Sequence, residues 1–141
     1  MFVEAKHRSI NRKQSVPHLR FGGFTKGWDE VNFGDLFDFK ATNSFSREDL
    51  NYEKGEIKNI HYGDIHTKFQ SNFDILNEKV PFLNQDKDVS KINSVNYCKE
   101  GDLVIADASE DYQDIGKAIE VRALHNQKTV AGLHTLSLIH I

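Results

Sequence analysis

Leu103-Val104-Ile105-Ala106 is the segment that most constrains the fold: four consecutive apolar residues, with Gly101-Asp102 before them and Asp107 after. So short a run, without polar alternation, marks a strand covered on both faces. The other apolar residues come in similarly short clusters punctuated by turn formers. Ile57, Ile60 and Tyr62 lead into Gly63-Asp64, which reads as a strand running into a tight turn. Ile92, Val95 and Tyr97 approach a second turn, Lys99-Glu100-Gly101-Asp102. Ile119, Val121 and Ala123 alternate with Glu120 and Arg122, the pattern of a half-buried strand, and another begins at Val130. Val80-Pro81-Phe82-Leu83 reads as an edge strand, because proline cannot donate to a ladder. Trp28, Val31, Phe33, Leu36, Phe37 and Phe39 fit a short strand that breaks at Gly34-Asp35 and continues into a helical turn, with Trp28, Phe33 and Phe37 in the core. Residues 41–55 read as a polar loop anchored by Phe45 and Leu50. The expected class is α+β: a strand-rich mixed sheet with short helices in a single domain.

With 141 residues, 38% hydrophobic and 28% charged, the chain can bury a real core, and its ten Phe argue against wholesale disorder. No apolar run approaches the roughly 20 residues that cross a bilayer. Residues 1–20 lack the apolar middle of a signal peptide. Cys98 is the only cysteine, which excludes an internal disulfide and a cysteine metal cluster; it reads as a small buried apolar residue. A soluble, cytoplasmic protein is expected. Charge is uneven: Lys6, Arg8, Arg12, Lys13 and Arg20 face Glu4 alone in the first twenty residues, so that of the formal −3 the remainder carries −7. Residues 1–16 read as a flexible basic lead, residues 17–135 as the folded domain. Leu-Ser-Leu-Ile-His-Ile (136–141) is what CTG TCT CTT ATA CAC ATC encodes, similar to the end of a transposon-based sequencing adapter. These six residues also suit an ordinary terminal strand, but they are expected to be a scar, left out of fold reasoning, with the gene continuing beyond 135.

Two strings bear chemistry. Asn59-Ile-His-Tyr-Gly-Asp-Ile-His-Thr-Lys68 sets two histidines, an aspartate, a tyrosine, a threonine and a lysine around one glycine. His61, Asp64 and His66, with His134 as a further ligand, suit zinc or iron by donor type, although the spacing matches no ligand signature. A histidine base oriented by aspartate lacks a serine or cysteine nucleophile in a recognisable elbow. A recognition loop donating to phosphates and base edges, or a solvated turn, fits the residues equally well. The second string, Gly101 to Asp111, delivers Asp107, Ser109, Glu110 and Asp111 to the carboxyl end of a strand. Clustered carboxylates there could hold magnesium, but no compact Asp…Glu-x-Lys accompanies them; a capped loop is the plainer alternative. Phosphate and dinucleotide loops are absent from the sequence. Asp86 and Asp88 around Lys87 read as a solvated loop.

Taken in order, these strings resemble a known family. Val16-Pro-His-Leu-Arg-Phe21, Trp28 ahead of Phe33-Gly-Asp-Leu36, Tyr62-Gly-Asp-Ile-His-Thr67, Gly101 to Asp111 followed by Ile115-Gly-Lys117, and Gly132-Leu-His-Thr135 are together similar to a target recognition domain in the specificity subunit of type I restriction–modification enzymes. The resemblance spans roughly residues 16–135. It implies a non-catalytic domain that reads one half of a bipartite double-stranded DNA target. Methyl transfer from S-adenosylmethionine would belong to modification subunits, and cleavage to ATP-dependent restriction subunits. No cofactor is implied for this chain, and no membrane. The expected DNA-binding residues are His61, Tyr62, His66, Thr67 and Lys68 in the first loop, and Ser109, Tyr112 and Lys117 in the second. His61, His66 and Thr67 suit base edges, Lys68 and Lys117 phosphates, and Tyr112 stacking or a backbone contact. Because phosphate neutralisation dominates affinity, the acidic body is expected to bind DNA weakly when alone. The alternative is a small metal-dependent hydrolase using His61, Asp64, His66 and the carboxylates of residues 107–111.

Overall fold

The computed structural model describes residues 13–16, 18, 19, 21–109 and 112–140. The fold is α+β, with eleven strands in three sheets and two short helices among the described residues. The backbone divides into two compact units between Asp38 and Phe39.

In the first unit β1 (Lys13–Ser15) pairs antiparallel with β2 (Trp28–Glu30), and α1 (Phe33–Leu36) follows as a single turn. Lys13–Ser15 of the basic lead form β1; its residues 1–12 lie outside the described ones. The expectation of an aromatic core here is not met. Trp28 and Phe33 are 67% and 55% exposed, and Phe33 merely stacks on Phe37 with centroids 5.0 Å apart. A two-stranded ribbon with one helical turn offers too little surface to enclose three large rings.

The second unit holds the core. Its strands are β3 (Phe37–Lys40), whose last two residues belong to this unit, β4 (Leu50–Asn51), β5 (Lys58–Ile60), β6 (Asn72–Asp74), β7 (Phe82–Leu83), β8 (Leu103–Ala106), β9 (Ala118–Ala123), β10 (Thr129–Ala131) and β11 (Thr135–His140). α2 (Tyr62–Thr67) follows β5. One sheet has the order β3-β11-β8-β9-β6, the other β10-β5-β7-β4. Both are mixed: β6–β9 and β10–β5 are parallel, whereas β8–β9, β8–β11 and β5–β7 are antiparallel. β8 occupies the centre of its sheet, as its apolar run predicts. Val104 and Ala106 are fully buried, while Leu103 and Ile105 are covered only in part. Phe73, Ile60, Ile65, Ile75, Ile119 and Val121 close the main core around them, each such side chain contributing on the order of 1.5–3 kcal/mol. A smaller cluster of Ile57, Leu83 and Val130 takes Phe45 and Leu50 from the polar loop, which thereby serve as its anchors.

Two expectations need correction. Gly63-Asp64 is not a tight turn but the first turn of α2. β7 is not an edge strand: it lies between β5 and β4, with Pro81 just ahead of it offering its carbonyl to the Asn59 amide at 2.9 Å. Residues 136–140 take the alternative of a terminal strand. They pair with β8 from Leu136↔Ile105 to Leu138↔Leu103, and Leu138 is fully buried. Without them β8 would present an unpaired edge.

Gly132 shows how tightly β10 and β5 approach. A Cβ there would lie 2.7 Å from Asn59 Nδ2 and 2.9 Å from the Ile60 carbonyl, which itself accepts the Gly132 N–H at 2.9 Å. Gly132→Ala is expected to destabilise by about 2 kcal/mol through overpacking, read as a lower urea midpoint at unchanged slope.

A candidate nucleic-acid interface

α2 is built from residues that do not favour helix, namely Gly63, β-branched Ile65 and Thr67. Side chains at its ends hold it. His61 Nδ1 accepts the Gly63 N–H at 3.1 Å, filling the N-terminal cap, and Asp64 places a negative charge in the first turn. At the other end Lys117 Nζ donates to the His66 carbonyl at 2.6 Å, and Thr67 Oγ1 donates to the Gly63 carbonyl at 2.8 Å.

Beneath the cap lies an ion cluster. Asp64 is 1% exposed, and Arg47 grips it with Nη1 on Oδ2 and Nη2 on Oδ1, both at 2.8 Å. Lys68 Nζ adds a contact to Oδ1 at 2.8 Å. Burial alone would raise the Asp64 pKa, but the hydrogen bonds from these two cations outweigh it and hold the carboxyl below its ordinary value. His61 moves the other way. Burial and the nearby Arg47 charge lower its pKa from 6.5 to about 4, so it is neutral near pH 7. With Nδ1 accepting, its proton sits on Nε2.

Above this cluster opens a cleft of about 580 Å³, lined in part by Arg47, His61, Tyr62, His66, Ser109 and His134. Its walls follow the carboxyl ends of β5, β8 and β10, so three loops on a fixed sheet framework meet there. Tyr62 is its aromatic centre, stacked on His61 at 4.5 Å and edge-on to His134 at 5.3 Å. His66 Nε2 donates to the Ala108 carbonyl at 2.7 Å. Its buried Nδ1 has no partner among the described residues. His134 stands at φ +57°, with Nδ1 3.6 Å from Asp107 Oδ1.

Of the eight expected DNA-binding residues, the cleft gathers His61, Tyr62, His66, Thr67 and Ser109. Lys68 is half-exposed and already paired with Asp64, and Lys117 caps α2, so the two lysines expected to meet phosphates both carry internal contacts. Tyr112 is 95% exposed and does not line the cleft. Arg47 was not singled out from the sequence. The spacing of Ser46 and Asp49, a capping box that orders the turn bearing Arg47, was its available signal. Asp64 spends its oxygens on Arg47 and Lys68, Glu110 and Asp111 lie outside the described residues, and no group of three or more His, Cys, Asp or Glu among the described residues could hold an ion. Cys98 is buried as expected, its thiol pushed up to about 12 by burial, which makes it a poor nucleophile. Asp86 and Asp88 are exposed, while Lys87 bonds Asp49 at 2.7 Å. No helix among the described residues is long and apolar enough to cross a membrane. A scan against protein-family models finds no match, and a search of curated proteins finds none similar to this chain.

Proposed function

We propose that this chain is a non-catalytic DNA-recognition domain, of the kind its motifs resemble in type I restriction–modification specificity subunits, reading one half of a bipartite target. The observation that carries the reading is the cleft itself. It collects hydrogen-bonding side chains (His61, His66, Thr67, Ser109) around an aromatic centre at the carboxyl ends of three strands. Such groups match base edges, whose donors and acceptors are uncharged. Asp64 is paired with Arg47 and Lys68, and His61 Nδ1 caps α2, which supports a role in recognition rather than bond-making. Modification and restriction subunits would supply the chemistry, and most phosphate contacts as well, given the acidic balance of residues 21–141.

The test is to map methylated adenines in the assembly with its modification subunits. Thr67→Ala removes a hydroxyl that lines the cleft and donates to the Gly63 carbonyl, and is expected to change which bases are required. Lys68→Ala leaves Arg47 on Asp64 and is expected to lower methylation at all sites alike. Parental pattern and extent for both variants would refute the assignment of these residues.

A further inference from the structure

The body is acidic, yet it concentrates cations at one point outside the floor of the cleft. Tyr52, 41% exposed, has Lys68 Nζ 5.5 Å and Lys79 Nζ 5.1 Å from its ring centroid. Its phenol oxygen lies 3.1 Å from Lys68 Nζ and 3.3 Å from Arg47 Nη1. An ammonium and a guanidinium can only donate, so the phenol oxygen accepts from both and its own proton is turned away from them. Arg47 belongs at once to this cluster and to the lining of the cleft. Asp64 cancels one of the three charges; Glu78, beside Lys79 in sequence, turns a carboxylate oxygen to the Gln70 amide at 2.8 Å. What remains around Tyr52 is a set of donors: the Tyr52 hydroxyl, the half-exposed Lys68 and the exposed Lys79.

We propose that Tyr52, Lys68 and Lys79 form a phosphate-contact site that grips the backbone of duplex DNA beside the cleft and fixes the register in which bases meet it. This rests on the DNA-recognition reading above. A phosphodiester suits the site because it offers acceptors only and carries one diffuse charge, which matches a cluster whose exposed groups donate.

The experiment titrates the whole chain with a random-sequence duplex, by anisotropy, across a fourfold rise in salt. Each phosphate contact contributes a slope of about 0.9, so Lys79→Gln is expected to reduce the salt-induced loss of affinity by about threefold. Tyr52→Phe keeps the ring and loses the outward proton; it is expected to weaken binding severalfold at unchanged slope. Lys91→Gln, at an 87%-exposed side chain remote in sequence from the site, is expected to leave both quantities at parental values. Lys79 is exposed, so unchanged thermal melts should accompany its loss. If the parent binds and Lys79→Gln and Tyr52→Phe both match it in affinity and slope, the phosphate site is refuted while DNA recognition stands. If the parent binds no duplex at low salt, the recognition reading fails and this site with it.

Discussion

Lys40→Met is expected to destabilise the chain by about 3–5 kcal/mol, enough to lower the melting temperature by roughly 10 °C or more. Lys40 at the end of β3 and Asp102 ahead of β8 form an ion pair whose side chains are each 2% exposed. The Lys40 ammonium also donates to the Tyr97 carbonyl at 2.7 Å, and the Asp102 carboxylate accepts the Lys99 N–H at 2.7 Å. The cost of the single substitution comes mainly from the carboxylate left without its cation, not from the worth of the pair. Lys40→Met with Asp102→Asn keeps an acceptor for the Lys99 amide and removes both charges, so it is expected to recover most of the loss. A double-mutant cycle by urea unfolding reads this directly. Equal losses in the single and double variants would contradict it.

The second large effect is a pH dependence centred on His61. Its pKa is about 4 in the fold against 6.5 for the free side chain, so the unfolded chain takes up a proton that the folded one refuses. The contribution of His61 is therefore intact above pH 6.5 and declines as pH falls from 6.5 towards 4. At roughly 1.4 kcal/mol per pH unit, the loss reaches about 3 kcal/mol at the bottom of that window. Asp64 acts lower down: its depressed pKa gives stability that disappears only as pH falls below the ordinary carboxylate range. His61→Asn separates the two. An asparagine oxygen can take over the Gly63 N–H, preserving the cap, but it does not titrate. Unfolding free energy of His61→Asn is expected to stay flat between pH 6.5 and 4 and then fall with Asp64. The same slope in parent and variant would show that His61 is not the group responsible.

How much of this could be read from the sequence depends on how local each cause is. β8 and β9 were legible because burial period is written along the strand, in Leu103–Ala106 and in Ile119, Val121 and Ala123. Phe45 and Leu50 were legible as anchors for the same reason, two apolar residues in a polar stretch. α2 was not. Its own residues favour a turn, and the contacts that hold it come from Arg47, seventeen residues earlier, and Lys117, fifty-one residues after His66. The exposed rings of Trp28 and Phe33 mark the reverse failure, where hydrophobic character alone suggested a core that a three-element unit lacks the surface to form. The cleft was half legible: its histidines, Tyr62 and Ser109 stood out by composition, whereas Arg47 left only the Ser46–Asp49 spacing as a signal and its grip on Asp64 came through tertiary contact.

The most direct measurement is an in vitro selection from a random duplex library with the purified chain at low salt, followed by sequencing. DNA recognition predicts enrichment of one short sequence pattern, weakly bound, and loss or change of that pattern on Thr67→Ala. Retained duplexes with no shared pattern, or turnover of any DNA by the chain unaided, would contradict a non-catalytic reader of sequence.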